Sequence, residues 1–358
     1  MKKITALVIS LIMLFSLSAC SVNGKTVIEI NENTEIDSEI FTYFLNEAFY
    51  AHSGRASSEY IDLATSECLE YVAVNTKFAE SGEKLSQREK AEISSTVNAL
   101  WRVYGSYYEE IGVSKDTFFK IKQYEKCKEI IRFAIYDKDG TNPINEEYIK
   151  QYFTSDNVGI KYFYQELYTP VSDAEYENMS AYDKKVYDAN KQSALDRYNR
   201  ISEVANYVNS SVYTMDEAFM AVTGEVSADV NVSAAVVGRE GSSFSKEFVD
   251  AVFRQAVGSA FIITNAEKSY VYFIERIDLL DSRYGLYQQY RDECLVAVTE
   301  SFLVNEITGW IASYKAVRHL SAAERCLRNI KKVDRSKYAG AEGYQFNSFL
   351  PDNLEDIK

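Results

Sequence analysis

Apolar positions recur at helical spacing through most of the chain. Ile40, Phe44, Leu45 and Phe49 share one face of the stretch Ser38 to Ala51, as a helix burying a single stripe requires. A second such segment runs from Ser58 to Ser81. Ser86-Gln87-Arg88-Glu89 then has the serine and glutamate of a capping box, ahead of a third segment that reaches Tyr104. Gly105 and Gly112 are expected to punctuate the chain after it. Ser114 caps Lys115 to Tyr136, which carries Phe118, Ile121, Tyr124, Ile130 and Ile131, and Asn145 caps a short helix ending near Tyr152. Before all of these, Thr26 to Ile30 alternates as a small strand.

The texture changes at Val158. Ile160 to Tyr168 places Tyr162, Tyr164 and Glu166 on one parity and Phe163 and Leu167 on the other, the two-residue period of a strand. A polar helix is expected from Asp173 to Asn209. A second capping box, Thr214 to Glu217, starts a short helix to Thr223, and Val230 to Val237 alternates again. A turn at Gly238 to Gly241, a helix from Ser245 to Val257 and a last strand from Tyr270 to Leu280 complete an α+β segment at 156–281. Helical spacing returns with Leu286, Tyr290, Cys294, Val298, Phe302 and Ile307. It continues toward His319 and, in a further helix, through Ile330, while 334–358 has no periodicity and reads as a flexible tail.

Composition supports a mainly α protein, because 3 prolines and 15 glycines in 358 residues leave few obligatory helix breakers. A net charge of −14 with no dense basic run excludes nucleic acid as the expected partner. Asp137 to Gly140 with Glu146 has the glycine and last glutamate of a calcium loop, but Ile135 would occupy the first ligand position, so a turn is expected. Neither zinc-protease, serine-hydrolase nor phosphate-loop motifs occur, and no metal or cofactor is expected. Cys68, Cys127, Cys294 and Cys326 stand singly in helical contexts. They read as buried thiols, with a disulfide between distant segments left open.

Lys2 and Lys3 precede an uncharged run from Ile4 to Ala19, which ends in Leu17-Ser18-Ala19-Cys20. This resembles a bacterial lipoprotein signal peptide, and the run is shorter than the ~20 residues a spanning helix needs. The resemblance implies removal of 1–19, lipidation of Cys20 and a lipid anchor on the outer face of the cytoplasmic membrane.

Three stretches, in order, carry a wider resemblance: IEINENTEIDSEIFTYFLNEAF, IGVSKDTFFKIKQYEKCKEII and FSKEFVDAVFRQAVGSAFIITNAEKSYVYFIERIDLL. With the lipobox they are similar to the PrsA-type extracytoplasmic foldase lipoproteins of Gram-positive bacteria and, more loosely, to the periplasmic chaperone SurA and to trigger factor. The resemblance implies an α+β, mainly α fold, in which a split helical chaperone module (20–155 and 282–333) surrounds a parvulin-like domain at 156–281. That domain would finish in a helix, a glycine turn and a β-hairpin.

Active parvulins carry a histidine in the first strand and another in the last. The matching positions here are Tyr162 or Phe163 and Tyr272, and the chain's two histidines, His52 and His319, lie outside the insert. The implied protein is a chaperone that binds unfolded secreted polypeptides, with weak or absent prolyl isomerase activity. The helical module is its expected binding surface. An active prolyl isomerase and a solute-binding lipoprotein are the alternatives. Clients and oligomeric state stay open, a homodimer being one option.

Overall fold

The computed structural model describes residues 25–31, 33–52, 54–224 and 232–338. Its contacts divide the chain into two units, 1–143 with 299–358 and 144–298. Both are α+β, and the whole is mainly helical.

The discontinuous unit is built on a small antiparallel sheet in the order β2-β1-β7, from Thr26–Ile30 (β1), Thr34–Asp37 (β2) and Ala316–Arg318 (β7). β1 is its middle strand. Ile28 pairs with Arg318 and Ile30 with Ala316, so residues nearly 300 positions apart close the unit by backbone hydrogen bonds. Neither β2 nor β7 is legible from alternation, because strands of four and three residues are shorter than the pattern needed to recognise them.

Around this sheet pack α1 (Ser38–Ala51), α2 (Ser57–Ser81), α3 (Gln87–Ile111), α4 (Lys115–Tyr136) and α11 (Leu320–Lys332). Asp37 starts α1 by accepting from the backbone of Glu39 and Ile40, both at 2.9 Å. α1 buries Phe41, Phe44 and Leu45, and α11 lays Ala323, Cys326, Leu327 and Ile330 against it. The expected stop at Gly105 does not occur. α3 runs through it to Gly112, whose left-handed φ of 92° ends the helix. Gly105 instead makes room for Trp101: a Cβ there would lie 2.6 Å from the indole.

The second unit starts with α5 (Glu146–Ser155) and contains β3 (Asn157–Glu166), α6 (Asp173–Asn178), α7 (Ala181–Asn209), α8 (Met215–Thr223), β4 (Ser233–Gly238), α9 (Lys246–Phe253), β5 (Ala260–Ile263) and β6 (Tyr270–Ile277). Its antiparallel sheet has the order β4-β3-β6-β5. The single helix expected over Asp173 to Asn209 is two, because Met179 is extended and Ser180 caps a new start. The unit extends past the expected borders at 156 and 281. Phe153 of α5 packs on Tyr287 and Tyr290 (5.7 and 5.9 Å between ring centres), and Glu146 accepts from the Tyr287 hydroxyl at 2.6 Å and from Arg291. These bonds, that with Arg291 foremost, hold the Glu146 carboxyl below its ordinary pKa. The helix carrying Tyr287, α10 (Leu286–Ile311), gives its first half to this unit and its second half to the other.

Candidate functional site: the tyrosine face of the four-stranded sheet

β3 and β6 pair antiparallel, with Tyr162 opposite Ile274, Phe163 opposite Phe273, Tyr164 opposite Tyr272 and Glu166 opposite Tyr270. Directly opposed residues point to the same side of a sheet, and successive residues to opposite sides. Tyr162, Tyr164, Tyr270 and Tyr272 therefore share one face, and Phe163 and Phe273 lie on the other.

The Phe163 face is closed. α7 and α8 cover it with Ile201, Val204, Val208 and Phe219, all buried. Phe163 stacks on Phe273 at 5.0 Å and meets the edge of Phe219 at 5.3 Å. Of the three positions singled out in the sequence, Phe163 is thus a core residue at 1% exposure, separated by the sheet from Tyr162 and Tyr272.

The tyrosine face is closed at one end only. There α9 seats Phe248, Val249 and Val252 on Val158, Ile160, Val237 and Ile274. Arg276, also buried here, donates from Nη1 to the Gly159 carbonyl at 2.7 Å, so its guanidinium is committed to the sheet. Toward the Glu166 end the cover gives way to rings. Tyr162 lies 6.3 Å from Tyr272 and 5.8 Å from Phe244, Tyr272 lies 5.2 Å from Phe248, and Tyr164 lies 5.0 Å from Tyr272. Tyr164 is 49% exposed. Beside Phe244 opens a groove of about 430 Å³, lined also by Arg239, Ser242, Lys246 and Asp250.

Burial raises the pKa of Tyr272, and burial followed by the neighbouring Glu166 carboxylate raises that of Tyr164. Both hydroxyls stay protonated at neutral pH and act as neutral donors and acceptors. The face offers wide aromatic area with wettable tips, suited to apolar or extended polypeptide. It has no imidazole. His52 ends α1, where its backbone N–H donates to the Ala48 carbonyl, and the His319 Nε2 lies 2.8 Å from a Glu29 carboxylate oxygen; both belong to the discontinuous unit. Cys20 lies outside the described residues. Cys68, Cys127, Cys294 and Cys326 are buried free thiols.

Tyr164, Tyr270 and Phe244 are members of the face that motif matching passes over. Parity finds the first two: Tyr164 is two residues from Tyr162, and Tyr270 two from Tyr272. Phe244 has no such signal, since it reaches the sheet from a turn.

No family profile matches the sequence, and no curated protein does. Among solved structures the chain is similar to foldase protein PrsA from Lactococcus lactis, at 12% identity over 86% of this chain and 99% of that one, with a TM-score of 0.36. It is similar also to foldase protein PrsA from Streptococcus pneumoniae str. Canada MDR_19A (13% identity, 75% and 90% covered, TM-score 0.35). A third is PrsA from Bacillus subtilis (13% identity, 77% and 85% covered, TM-score 0.27).

Proposed function

We propose that the chain is a lipid-anchored, extracytoplasmic chaperone that holds unfolded segments of secreted proteins on the tyrosine face of its four-stranded sheet, with little or no prolyl isomerase activity. The observation that carries this reading is the open face itself. Tyr162, Tyr164, Tyr270, Tyr272 and Phe244 form a continuous aromatic surface in which Tyr164 is exposed and the other four rings are half-buried, and aromatic surface left open to solvent marks a site of association. Aromatic contact is tolerant of sequence, as a binder of varied unfolded chains requires.

The anchor rests on Leu17-Ser18-Ala19-Cys20, and Cys20→Ala is expected to abolish lipid labelling. The reading departs from the sequence-based expectation in one respect, the place of binding. The helical unit is the surface that the sequence suggests, yet the tyrosines of its core, including Tyr107, Tyr108 and Tyr124, are buried at 1%, 3% and 5% exposure.

Slow or absent catalysis follows from the side chains present. Twisting a prolyl bond breaks no covalent bond, so the rate depends on stabilising the twisted amide. At Tyr162 and Tyr272, where active parvulins carry imidazoles, the tyrosine face presents phenol rings and hydroxyls instead. The test uses residues 21–358, which retain every described residue. Suppression of aggregation of an unrelated unfolded protein, without nucleotide, is measured beside acceleration of prolyl isomerisation in a short peptide. Suppression near stoichiometric ratio with isomerisation close to the uncatalysed rate is expected. Strong acceleration that is lost in Tyr272→Ala would replace this reading with that of an active isomerase.

A further inference from the structure

At the open end of the face three tyrosine rings meet a carboxylate. Tyr164 and Tyr270 are 5.8 Å apart at 36°, Tyr164 and Tyr272 5.0 Å at 54°, and Tyr270 and Tyr272 5.8 Å at 80°. Glu166 stands two residues from Tyr164 on the same strand face and directly opposite Tyr270. Its carboxylate accepts from the Thr169 hydroxyl at 3.0 Å, a neutral donor that leaves the charge uncompensated, and among the described residues it has no cationic partner.

Two lysines of the same unit are engaged elsewhere. The Lys161 ammonium is 2.7 Å from Asp216, on the covered side of the sheet, and that of Lys268 sits over the Tyr198 ring at 4.4 Å. Tyrosine rings attract cations through their negative faces, and an adjacent carboxylate adds to that field. A chain carrying −14 overall strengthens it further.

We propose that this end of the face selects its clients: it takes the side chain of a lysine or arginine that follows an apolar pair, with the cation between Glu166 and the rings of Tyr164 and Tyr270 and the apolar pair on Tyr272, Tyr162 and Phe244. The proposal rests on the reading of the tyrosine face as a polypeptide-binding surface and adds the chemical class of segment that it prefers. Exposed cation–π contacts and exposed ion pairs are each weak. Together they give a preference of about three- to tenfold at low salt, which narrows as ionic strength shortens the reach of the charges.

The experiment measures fluorescence anisotropy of three labelled peptides that share a Gly-Ser frame and a Leu-Phe pair, followed by Arg, Gln or Glu, titrated with residues 21–358. The Arg peptide is expected to bind most tightly and the Glu peptide least. Glu166→Gln should weaken binding of the Arg peptide, leaving only the part of its preference that the Tyr164 and Tyr270 rings supply, and should leave the Gln peptide within about twofold, since only a surface charge changes. Equal binding of all three peptides would overturn the cation preference while leaving the face as a binding surface. An Arg preference undiminished in Glu166→Gln would overturn it as well, by assigning the preference to net charge alone. Binding of none, by protein with an unchanged circular dichroism spectrum, would remove the reading of the face itself.

Discussion

The two units use the same residue differently. In the discontinuous unit, tyrosine is core: Tyr43, Tyr60, Tyr107, Tyr108, Tyr124 and Tyr136 are all buried. Their hydroxyls find partners inside, Tyr107 donating to Asn46 at 2.5 Å and Tyr124 to Glu70 at 2.7 Å. The 144–298 unit buries Tyr168 and Tyr287 but exposes Tyr148, Tyr152, Tyr164, Tyr182, Tyr207, Tyr213 and Tyr290, whereas among the described residues no tyrosine of the other unit is exposed. An abundance of 28 tyrosines therefore says little until each is placed. A buried tyrosine contributes area and an internal hydrogen bond to stability, whereas an exposed one is available to another chain.

The largest expected effects are on the two cores. Phe273→Ala removes the ring that stacks on Phe163 and should cost about 3–5 kcal/mol, read as loss of the unfolding transition of the 144–298 unit. Tyr107→Ala should cost the other unit a comparable amount, because it also leaves the buried Asn46 amide oxygen without its donor. If Tyr107→Ala were as mild as a surface change, the contrast between the units would be broken.

A smaller effect is pH-dependent. Glu47, half-buried among Tyr43, Tyr108 and Asn46, has its pKa pushed up from 4.5 to about 7 by burial, which outweighs the opposing Asn46 hydrogen bond and the charges of Lys122 and Arg335. A carboxyl whose folded pKa is raised stabilises the fold fully below its unfolded value near 4.5, and that contribution is lost as pH rises through about 7. The discontinuous unit should lose about 2 kcal/mol between pH 5 and 8, measured by urea unfolding, and Glu47→Gln should flatten that slope. A slope of opposite sign would show that Glu47 is held ionised.

Smaller still is the capping box of α3, where Ser86 and Glu89 exchange hydrogen bonds at 3.2 and 2.7 Å. Ser86→Ala should cost about 1 kcal/mol. Tyr164→Ser, which removes a half-exposed ring paired across the strands with Tyr272, should cost no more than about 1 kcal/mol, while reducing peptide binding several-fold. That dissociation of stability from binding sharpens the contrast with Tyr107.

Helix positions are legible where caps and stripes coincide. Asp37, Ser114, Thr214 and Ser245 each cap the helix that the pattern starts there. What pattern does not supply is pairing at a distance. β7 exists because β1 offers it an edge, and β5 because β6 does; their own four or fewer residues specify little. Gly105 misleads for a related reason, since its role depends on Trp101 one turn away rather than on backbone freedom. The tyrosine face is half legible. Alternation in Lys161-Tyr162-Phe163-Tyr164 separates the two faces, but nothing local says that α7 and α8 close the Phe163 side while α9 leaves the tyrosine side partly open.

The most direct test of the account is light scattering of an unfolded client in the presence of residues 21–358 carrying Tyr162→Ser, Tyr164→Ser and Tyr272→Ser together, with the urea unfolding curve recorded on the same preparation. The account predicts that suppression of aggregation falls to the level of a control protein while both units still unfold cooperatively. Undiminished suppression by the folded triple variant would place client binding elsewhere on the molecule and contradict it.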